Sequence, residues 1–401
     1  MKRKNFSWPV TAMDREDYEA FFLWFDRYEQ QLKTHQLVIW GAGIRGTGFS
    51  ILLRERGYQD FLFVDSNPEK WGGCIDDFNI ISPEQLEAER DRTNRIILIS
   101  VENSAAIEKY LLERKYRRDI DYFLAKTDQY ESYINEFLRP YEQDTLIMGD
   151  CEFSTMSLKD KDRDSLKDKL FIRCGRNTTK ILAMHGIGLR AEYHIFQAQI
   201  LNGMKPTCFI LMVNLDTLTG KQHLLPRSQH VELLKGLLNV QKNPSDSFKE
   251  YIQIAEQRSK NLQMEFFTGE ENNAIFSEVK ARNYMRLNYL YDLDVQTEGV
   301  KYLSHILELS QENNITVLPF IPPVNYQLGQ KLFGDVFDKK YQANVKKIKD
   351  IVAGKGFQLL DLSYVLQSDF FSTPVTPSET ANSMGREKLA DLLFNAMREM
   401  K

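Results

Sequence analysis

The chain has 401 residues, of which 42% are hydrophobic and 27% are charged, a composition typical of globular proteins that bury sizeable cores. Its formal net charge of −4 provides no global attraction to nucleic acid or to an anionic membrane. We therefore expect neither as a partner. The length predicts two or three domains.

Targeting and redox signals are absent from the sequence. Four widely spaced cysteines contain no CxxC pair, which argues against a zinc site and against a disulfide framework. The basic N-terminus is not followed by an apolar core, and no apolar run reaches about 18 residues. We therefore expect a cytoplasmic protein with no signal peptide, no membrane span and no metal site.

Strands alternate with helices in the first part of the chain, which predicts a parallel sheet with right-handed crossovers. An amphipathic helix is predicted at 14–34, strands at 36–40, 60–65, 95–101 and 121–125, and helices at 44–56 and 104–114. The domain boundaries that follow are an N-terminal helix in 1–35, a Rossmann-like domain in 36–126 and a linker helix in 127–144.

The remainder, 145–401, repeats this alternation and predicts a second open sheet. Strands are predicted at 145–148, 180–189, 207–218, 315–325 and 357–363, and helices at 191–202, 223–240 (after a loop), 295–313, 340–353 and 384–400. The predicted fold class is therefore α/β, with two open, mainly parallel sheets: a small Rossmann-like half and then a flavodoxin-type half.

A glycine-rich turn follows the first of these strands. Gly41, Gly43 and Gly46 complete a GxGxxG pattern between a strand and a helix, and Asp65 ends the next strand. In this pattern the glycines permit a tight turn, close approach of a pyrophosphate and close packing of helix on strand. The helix N-terminus offers N–H groups to the anion. Arg45 is a candidate phosphate contact and Asp65 a candidate acceptor for a ribose hydroxyl.

Three segments around this turn resemble small Rossmann-like domains of bacterial enzymes that modify surface polysaccharides and sugars. They are VIWGAGIRG (38–46), FVDSNPEKWGG (63–73) and IISPEQL (80–86). The resemblance implies a module that binds a nucleotide or a nucleotide sugar. The alternative is a close turn in a fold that has lost its ligand. An oxidoreductase is disfavoured, because the domain is half-sized and nothing after it resembles the catalytic half of a dehydrogenase.

A second signal lies at GDCEFS (149–154), directly after the strand at 145–148. It resembles the first block of SGNH-type (GDSL-like) hydrolases, in which Gly-Asp-Ser places a serine nucleophile after the first strand. Later segments resemble the other blocks in the same order: HGIGLR (185–190), VNLD (213–216) and ETANSMGREKLAD (379–391). LPFIPPVN (318–325) and GFQLLDLS (356–363) resemble strands of D-alanyl-lipoteichoic acid transfer proteins and related polysaccharide O-acyl modifiers.

This resemblance implies an esterase or O-acyltransferase of bacterial surface-polysaccharide biosynthesis. It would act on a carbohydrate or acyl-carrier substrate, with a possible partner in a polysaccharide-assembly complex. Cys151 takes the nucleophile position, and Gly188 and Asn214 take the positions of the oxyanion glycine and asparagine. Asp150, in the same Gly-Asp-Cys turn, is also counted as a candidate catalytic residue, and His185 is the candidate base.

The sequence departs from that family at the residues that matter for catalysis. Cys151 replaces the serine, Thr380 stands where the catalytic histidine is expected, and Pro377 stands where its aspartate is expected. A serine triad needs an imidazole base, whereas a cysteine needs less help because its thiol ionises more readily. His185 remains a candidate base, as do His223 and His230.

The structural alternatives are equally specific. Cys151 would be a small buried residue, Asp150 would bind loop N–H groups, and Asn214 and Asp216 would cap the following turn. Ser154 is expected to face its own turn's carbonyl groups, and Arg227 is a candidate contact for an anion. The runner-up function is accordingly a catalytically silent SGNH-fold binding or scaffold protein.

Overall fold

The computed structural model describes residues 4–6, 12–88, 94–101, 104–124, 129–142, 144–219, 229–261, 278–372 and 380–400. The chain folds as two compact units. The described residues of the first unit fall within 4–124 and 156–163, and the others belong to the second unit.

The first unit is built around an open sheet. Its elements are β1 (Ala12–Asp14), α1 (Arg15–Leu32), β2 (Gln36–Trp40), α2 (Ile44–Glu55), β3 (Phe61–Val64), β4 (Cys74–Ile75), β5 (Phe78–Ile81), α3 (Pro83–Ala88), β6 (Arg95–Ile99), α4 (Ala105–Glu113) and β7 (Tyr122–Leu124). The sheet order is β4-β5-β3-β2-β6-β7, and every pairing except β4 with β5 is parallel.

The second unit carries a parallel sheet of order β10-β8-β11-β12-β13. The remaining elements of the chain are α5 (Gln129–Leu138), β8 (Thr145–Gly149), β9 (Thr155–Ser157), α6 (Leu166–Cys174), β10 (Thr179–Ala183), α7 (Leu189–Leu201), β11 (Cys208–Met212), α8 (Val231–Val240), α9 (Asp246–Asn261), α10 (Glu278–Asn288), α11 (Glu298–Glu312), β12 (Thr316–Ile321), α12 (Tyr326–Phe333), α13 (Asp335–Gly354), β13 (Leu360–Asp361) and α14 (Ser383–Glu399). The predicted α/β class with mainly parallel sheets is confirmed.

Strand β8 shows why the second sheet needs helices on both faces. Successive side chains of a strand point to opposite faces. Leu146 and Met148 enter the apolar cluster that contains residues of α7, α8 and α11, whereas Ile147 enters the cluster that contains residues of α6 and α14. All three side chains are fully buried, as expected for a strand in a parallel sheet.

The compact units divide the chain differently from the predicted boundaries. Helix α1, predicted as a segment of its own in 1–35, belongs to the first unit, where Phe21 packs against Phe49 of α2 with ring centroids 5.1 Å apart. Helix α5, expected as a linker in 127–144, places Tyr133 and Phe137 in the second unit's core. Apolar side chains on both helices account for these differences, because each helix can bury its apolar face only within a core.

Residues 156–163 form the third difference, because they were expected in the C-terminal domain but belong to the first unit. Strand β9 pairs with β1. Met156 and Leu158 lie in the same apolar cluster as Met13 of β1. Arg163 donates two hydrogen bonds to the Glu55 carboxylate at the end of α2, with lengths of 2.8 and 2.5 Å. We call residues 156–163 the returning segment.

The predicted strand at 207–218 is too long. The regular strand ends at Met212, and a short 3₁₀ turn occupies Leu215–Thr219. The Asn214 side chain accepts a hydrogen bond from the Asp216 N–H at 3.3 Å, so it closes a turn at this point. The strand therefore ends before the polar residues that the sequence places at its tip.

Candidate functional site

Polar side chains converge at the carboxyl ends of β8 and β11 in the second sheet. If the strands of this sheet are numbered in chain order, they lie side by side in the order 2-1-3-4-5. The chain passes from β8 to β10 on one side of β8 and then to β11 on its other side, so the direction of the connections reverses at β8. In open α/β sheets, ligands bind in the crevice at such a switch point. Asp150 directly follows β8, and Asn214 follows β11 by two residues.

A hydrogen bond joins the two residues. The Asn214 side-chain amide donates to Asp150 Oδ2 at 3.2 Å, and the Glu152 N–H donates to Asp150 Oδ1 at 3.0 Å. Both Asp150 and Asn214 are buried. The structure therefore brings together the first and third blocks of the predicted site. The same bonds agree with the alternative interpretation, in which these two residues shape the turns.

Cys151 begins a 3₁₀ turn at Cys151–Phe153 and is half-buried. This turn has only three residues, so it provides little aligned backbone dipole at Cys151. The Ser154 hydroxyl donates to the Cys151 carbonyl at 3.3 Å, as predicted. That contact engages the hydroxyl of Ser154, the neighbouring side chain that could otherwise serve as a nucleophile, so Cys151 is the better placed candidate.

The loop between β10 and α7 supplies His185 and Gly188. Its first residue, Met184, donates its N–H to the Gly149 carbonyl at 3.1 Å, which fixes the loop beside the end of β8. His185 is exposed. Burial raises the pKa of the Asp150 carboxyl, and the electrostatic interaction with His185 acts in the opposite direction. Gly188 directly precedes α7, and its carbonyl accepts from the Glu192 N–H at 3.1 Å.

Carboxyl groups dominate the electrostatics of this edge. Burial raises the pKa of Asp150 above its ordinary value despite its hydrogen bonds. Burial also raises the pKa values of Glu152 and Glu192 well above their ordinary range, and the Asp150 carboxylate reinforces both shifts. Asp216 adds to the shift of Glu152, whereas Arg386 opposes it. We call Asp150, Glu152, Glu192 and Asp216 the acidic cluster.

The closing block contributes an arginine to the edge. The buried Arg386 donates from Nη1 to the Ala381 carbonyl at 2.8 Å and from Nε to the Asp164 carbonyl at 2.9 Å. Thr380, in the expected histidine position, accepts a backbone hydrogen bond from Ser372. Pro377 and Glu379 lie outside the described residues, as do His223 and Arg227.

His230 is the other histidine considered as a base. It is buried directly before α8, and its ring meets that of Tyr130 edge-on at 6.0 Å. His185, in contrast, acts electrostatically on the Asp150 carboxyl.

Sequence reasoning missed Glu192. It follows Leu189 by three positions and precedes Phe196 by four, so it lies on the buried face of α7. A carboxylate at an apolar position of the helical period is the signal that could have revealed it. Arg386 was missed for a similar reason, since its burial depends on how α14 packs.

The three glycines of the first unit's turn serve different purposes. Gly41 has φ +120°, and a Cβ there would lie 2.6 Å from the Ser100 hydroxyl. A Cβ on Gly46 would overlap the Gly41 carbonyl oxygen. A Cβ on Gly43 would meet nothing within 4 Å. The first and third glycines are thus required by packing, whereas the second faces open space.

The charged residues proposed for this turn already have partners inside the protein. The Asp65 carboxylate accepts from the Ala42 N–H at 2.8 Å, the Asn67 N–H at 2.9 Å and Lys70 Nζ at 3.0 Å. The Arg45 guanidinium forms an ion pair with the buried Asp17 of α1. Asp65 therefore fastens the turn, and Arg45 ties α2 to α1.

An open cavity of about 760 Å³ lies on the first unit, and none of its lining residues belongs to either predicted site. Tyr18, Glu55 and Arg163 are among its lining residues. Because Glu55 and Arg163 bind each other, the cavity presents no uncompensated charge from that pair.

In the described part of the chain, no group of three or more His, Cys, Asp or Glu side chains is placed to hold a metal ion. None of the described helices is both long enough and apolar enough to cross a membrane.

Comparison with known proteins gives few matches. No family model and no curated protein matches the chain. One solved structure with detectable similarity is an α/β-hydrolase enzyme from the metagenome of Lake Arreo, Spain. It is 9% identical, with a TM-score of 0.33, and the match covers 66% of this chain and 98% of that one.

Proposed function

We propose that the second unit is an SGNH-like esterase or O-acyltransferase that acts on a carbohydrate in bacterial surface-polysaccharide modification. The hydrogen bond between Asp150 and Asn214 carries the proposal, because it joins two separately predicted blocks at the switch point of the sheet. Cys151 begins the turn at that point. The 2-1-3-4-5 strand order supports the SGNH-like, flavodoxin-type assignment.

The reaction would begin with attack of the Cys151 sulfur on an acyl carbonyl, forming a C–S bond. His185 would accept the thiol proton and deliver it to the departing alkoxide. The Cys151 N–H, the Gly188 N–H and the Asn214 amide would hold the oxyanion. An amide carries two N–H donors, so Asn214 can keep its bond to Asp150 while it donates the second. Water or a sugar hydroxyl would then cleave the thioester and restore the thiol.

Covalent labelling tests this proposal. We expect p-nitrophenyl acetate to transfer one acetyl group to Cys151, detected by mass spectrometry, and Cys151→Ala to abolish the transfer. Cys174→Ala is the matched control, because Cys174 is also half-buried and lies in the same unit. Equal labelling of the natural chain and Cys151→Ala, or none in either, contradicts the proposal.

A catalytically silent binding or scaffold protein is the second candidate. Thr380 in the histidine position favours it, as does the use of Asp150 and Asn214 to close their own turns. In this case Cys151→Ala would leave the biological function unchanged while the fold persists. The labelling experiment therefore separates the two candidates.

We further propose that the first unit binds a nucleotide or nucleotide sugar at Gly41–Gly46. The strand order around β2 corresponds to the doubly wound order 3-2-1-4-5, with the turn at its switch point. Gly43 leaves open space before α2, where a pyrophosphate would meet backbone N–H groups. Because Arg45 and Asp65 are engaged by Asp17 and by the turn, backbone groups would carry most of the binding.

A thermal-shift comparison tests this second proposal. UDP-glucose and other nucleotide sugars should raise the melting temperature of the natural chain and not that of Gly43→Val. The variant should still fold, since φ at Gly43 is −120° and a Cβ there meets nothing within 4 Å. An equal shift in both proteins, or no shift with any nucleotide tested, contradicts nucleotide binding at this turn.

A further inference from the structure

The turn that carries Asn214, the proposed oxyanion donor, closes on itself through local hydrogen bonds. The Thr217 hydroxyl donates to the Asn214 carbonyl at 2.7 Å, and the N–H of Asp216, a member of the acidic cluster, donates to Asn214 Oδ1 at 3.3 Å. We call residues 214–217 the oxyanion turn. Its local bonds give the turn its shape, whereas its position at the sheet edge depends on contacts with other elements.

One such contact comes from a residue far along the chain. The Tyr291 hydroxyl donates to the carbonyl of Leu215, the residue directly after Asn214, at 2.7 Å. Leu215 is buried, and a buried carbonyl needs an internal hydrogen-bond partner. Burial also raises the pKa of Tyr291 above its ordinary value, so the hydroxyl keeps its proton and remains a donor. Tyr291 therefore binds the main chain of the oxyanion turn.

The loop that carries Tyr291 is itself fastened to helix α13. The buried Asn344 side chain donates from Nδ2 to the Tyr289 carbonyl at 3.3 Å and to the Tyr291 carbonyl at 2.8 Å. Its Oδ1 accepts from the Leu293 N–H at 3.0 Å. Lys347 Nζ, also on α13, donates to the Leu293 carbonyl at 2.7 Å. Because α13 binds this loop at four main-chain atoms, the Tyr291 hydroxyl is attached to a fixed backbone.

We infer that Tyr291 is a positioning residue for the Asn214 amide in acyl transfer. The inference rests on the proposed acyl-transfer function and adds a residue that lies in none of the segments resembling SGNH-type hydrolases. By holding the Leu215 carbonyl, Tyr291 restricts movement of the peptide unit that joins Asn214 to Leu215. One amide N–H of Asn214 then stays on Asp150 while the second keeps a fixed direction. An oxyanion donor is effective only when it is held in place before the charge develops.

Rates of acetyl transfer from p-nitrophenyl acetate to Cys151, followed by mass spectrometry, test the inference. Asn214→Ala removes the oxyanion donor and should slow the transfer about 100-fold. Tyr291→Phe removes only the hydroxyl that holds the turn and should slow it about tenfold. In the Asn214→Ala background, Tyr291→Phe should slow the transfer by less than about twofold, because a positioning residue acts only through the group that it positions.

Hydrogen exchange gives a second readout that does not depend on the reaction. In Tyr291→Phe, the backbone N–H groups of Asp216 and Thr217, which close the oxyanion turn, should exchange about tenfold faster than in the natural chain. Tyr58→Phe is the matched control. The Tyr58 hydroxyl also donates to a main-chain carbonyl, that of Glu29 at 3.3 Å, but it lies in the first unit. This control should leave both the exchange and the acetyl transfer unchanged.

Acetyl transfer that Tyr291→Phe leaves unchanged would overturn the inference and keep the proposed reaction. An equal slowing by Tyr291→Phe in the natural chain and in the Asn214→Ala background would also overturn it, since the effect would then not pass through the amide. Absence of acetyl transfer to Cys151 in the natural chain would remove the proposed reaction and the catalytic role of Tyr291 together. In that case, faster exchange in Tyr291→Phe would still show that the hydroxyl holds the turn.

Discussion

The titration of single buried groups connects this structure to measurable stability. Glu192 and Lys180 lie on neighbouring elements of the second unit, one acidic and one basic, and both are buried. Burial disfavours the charged form of each, which raises the pKa of the acid and lowers that of the base. Their contributions to the stability therefore change with pH in opposite directions.

Glu192→Gln should make the protein less sensitive to pH. The pKa of Glu192 is raised in the folded state, so the folded chain holds a proton that the unfolded chain releases above about pH 4.5. The unfolding free energy then falls as pH rises, by at most about 1.4 kcal/mol per unit for one proton. Urea unfolding between pH 4 and 8 should show the variant gaining stability relative to the natural chain as pH rises. Parallel curves would contradict the assignment.

Lys180→Met tests the opposite case. Lys180 Nζ donates to the Phe137 carbonyl at 2.6 Å and to Gln199 at 3.1 Å, and burial lowers its pKa to about 7. Between that value and 10.5 the unfolded chain binds a proton that the folded chain lacks, so stability rises with pH. The unfolding free energy of the natural chain, measured by urea unfolding, should therefore rise relative to that of Lys180→Met between pH 7 and 10. A difference independent of pH would indicate that Lys180 titrates normally.

At the scale of elements, the connection of β2 to α2 depends on one close approach. Gly46 lies in the first turn of α2, directly against the backbone of Gly41. This packing holds the helix N-terminus over the end of the strand. The glycine pattern therefore has a structural purpose in this chain whether or not a nucleotide binds.

Gly46→Ala should destabilise the first unit by about 3 kcal/mol or more, because its Cβ would overlap the Gly41 carbonyl oxygen. Gly43→Ala places its Cβ in open space and should change stability by less than about 1 kcal/mol. Thermal unfolding of the two variants provides the comparison. Equal losses would mean that the turn tolerates no side chain at either position.

Sequence reasoning succeeds here where local chemistry decides the structure. Alternating apolar runs predicted the parallel strands. The resemblance to SGNH-type hydrolases implied that Asp150 and Asn214 belong to one site, and a hydrogen bond joins the two residues. It could not find the ion pair of Arg45 with Asp17 or the burial of Glu192, because those depend on which helices pack together. The length of β11 was overestimated because an apolar run continues past the point where Asn214 closes a turn.

At the scale of the whole molecule, the stability of the first unit depends on the returning segment. Leu158 is 2% exposed and packs in the first unit's core, although it follows the second unit's first strand in the chain. Leu158→Ala should cost about 2–5 kcal/mol, the usual range for a large-to-small change in a core. Hydrogen exchange should show the loss of protection in α2 and β1 of the first unit. Loss confined to the second unit would contradict the assignment of this segment.

The returning segment also affects how the protein folds during synthesis. Domains generally fold as units, N-terminal first, as the chain leaves the ribosome. Here the first unit lacks Met156, Leu158 and the Arg163 bonds to Glu55 until residue 163 has emerged, when β8 has already been made. Part of the apolar surface of the first unit therefore stays uncovered during synthesis until residues 156–163, which follow β8 of the second unit in the chain, have been made.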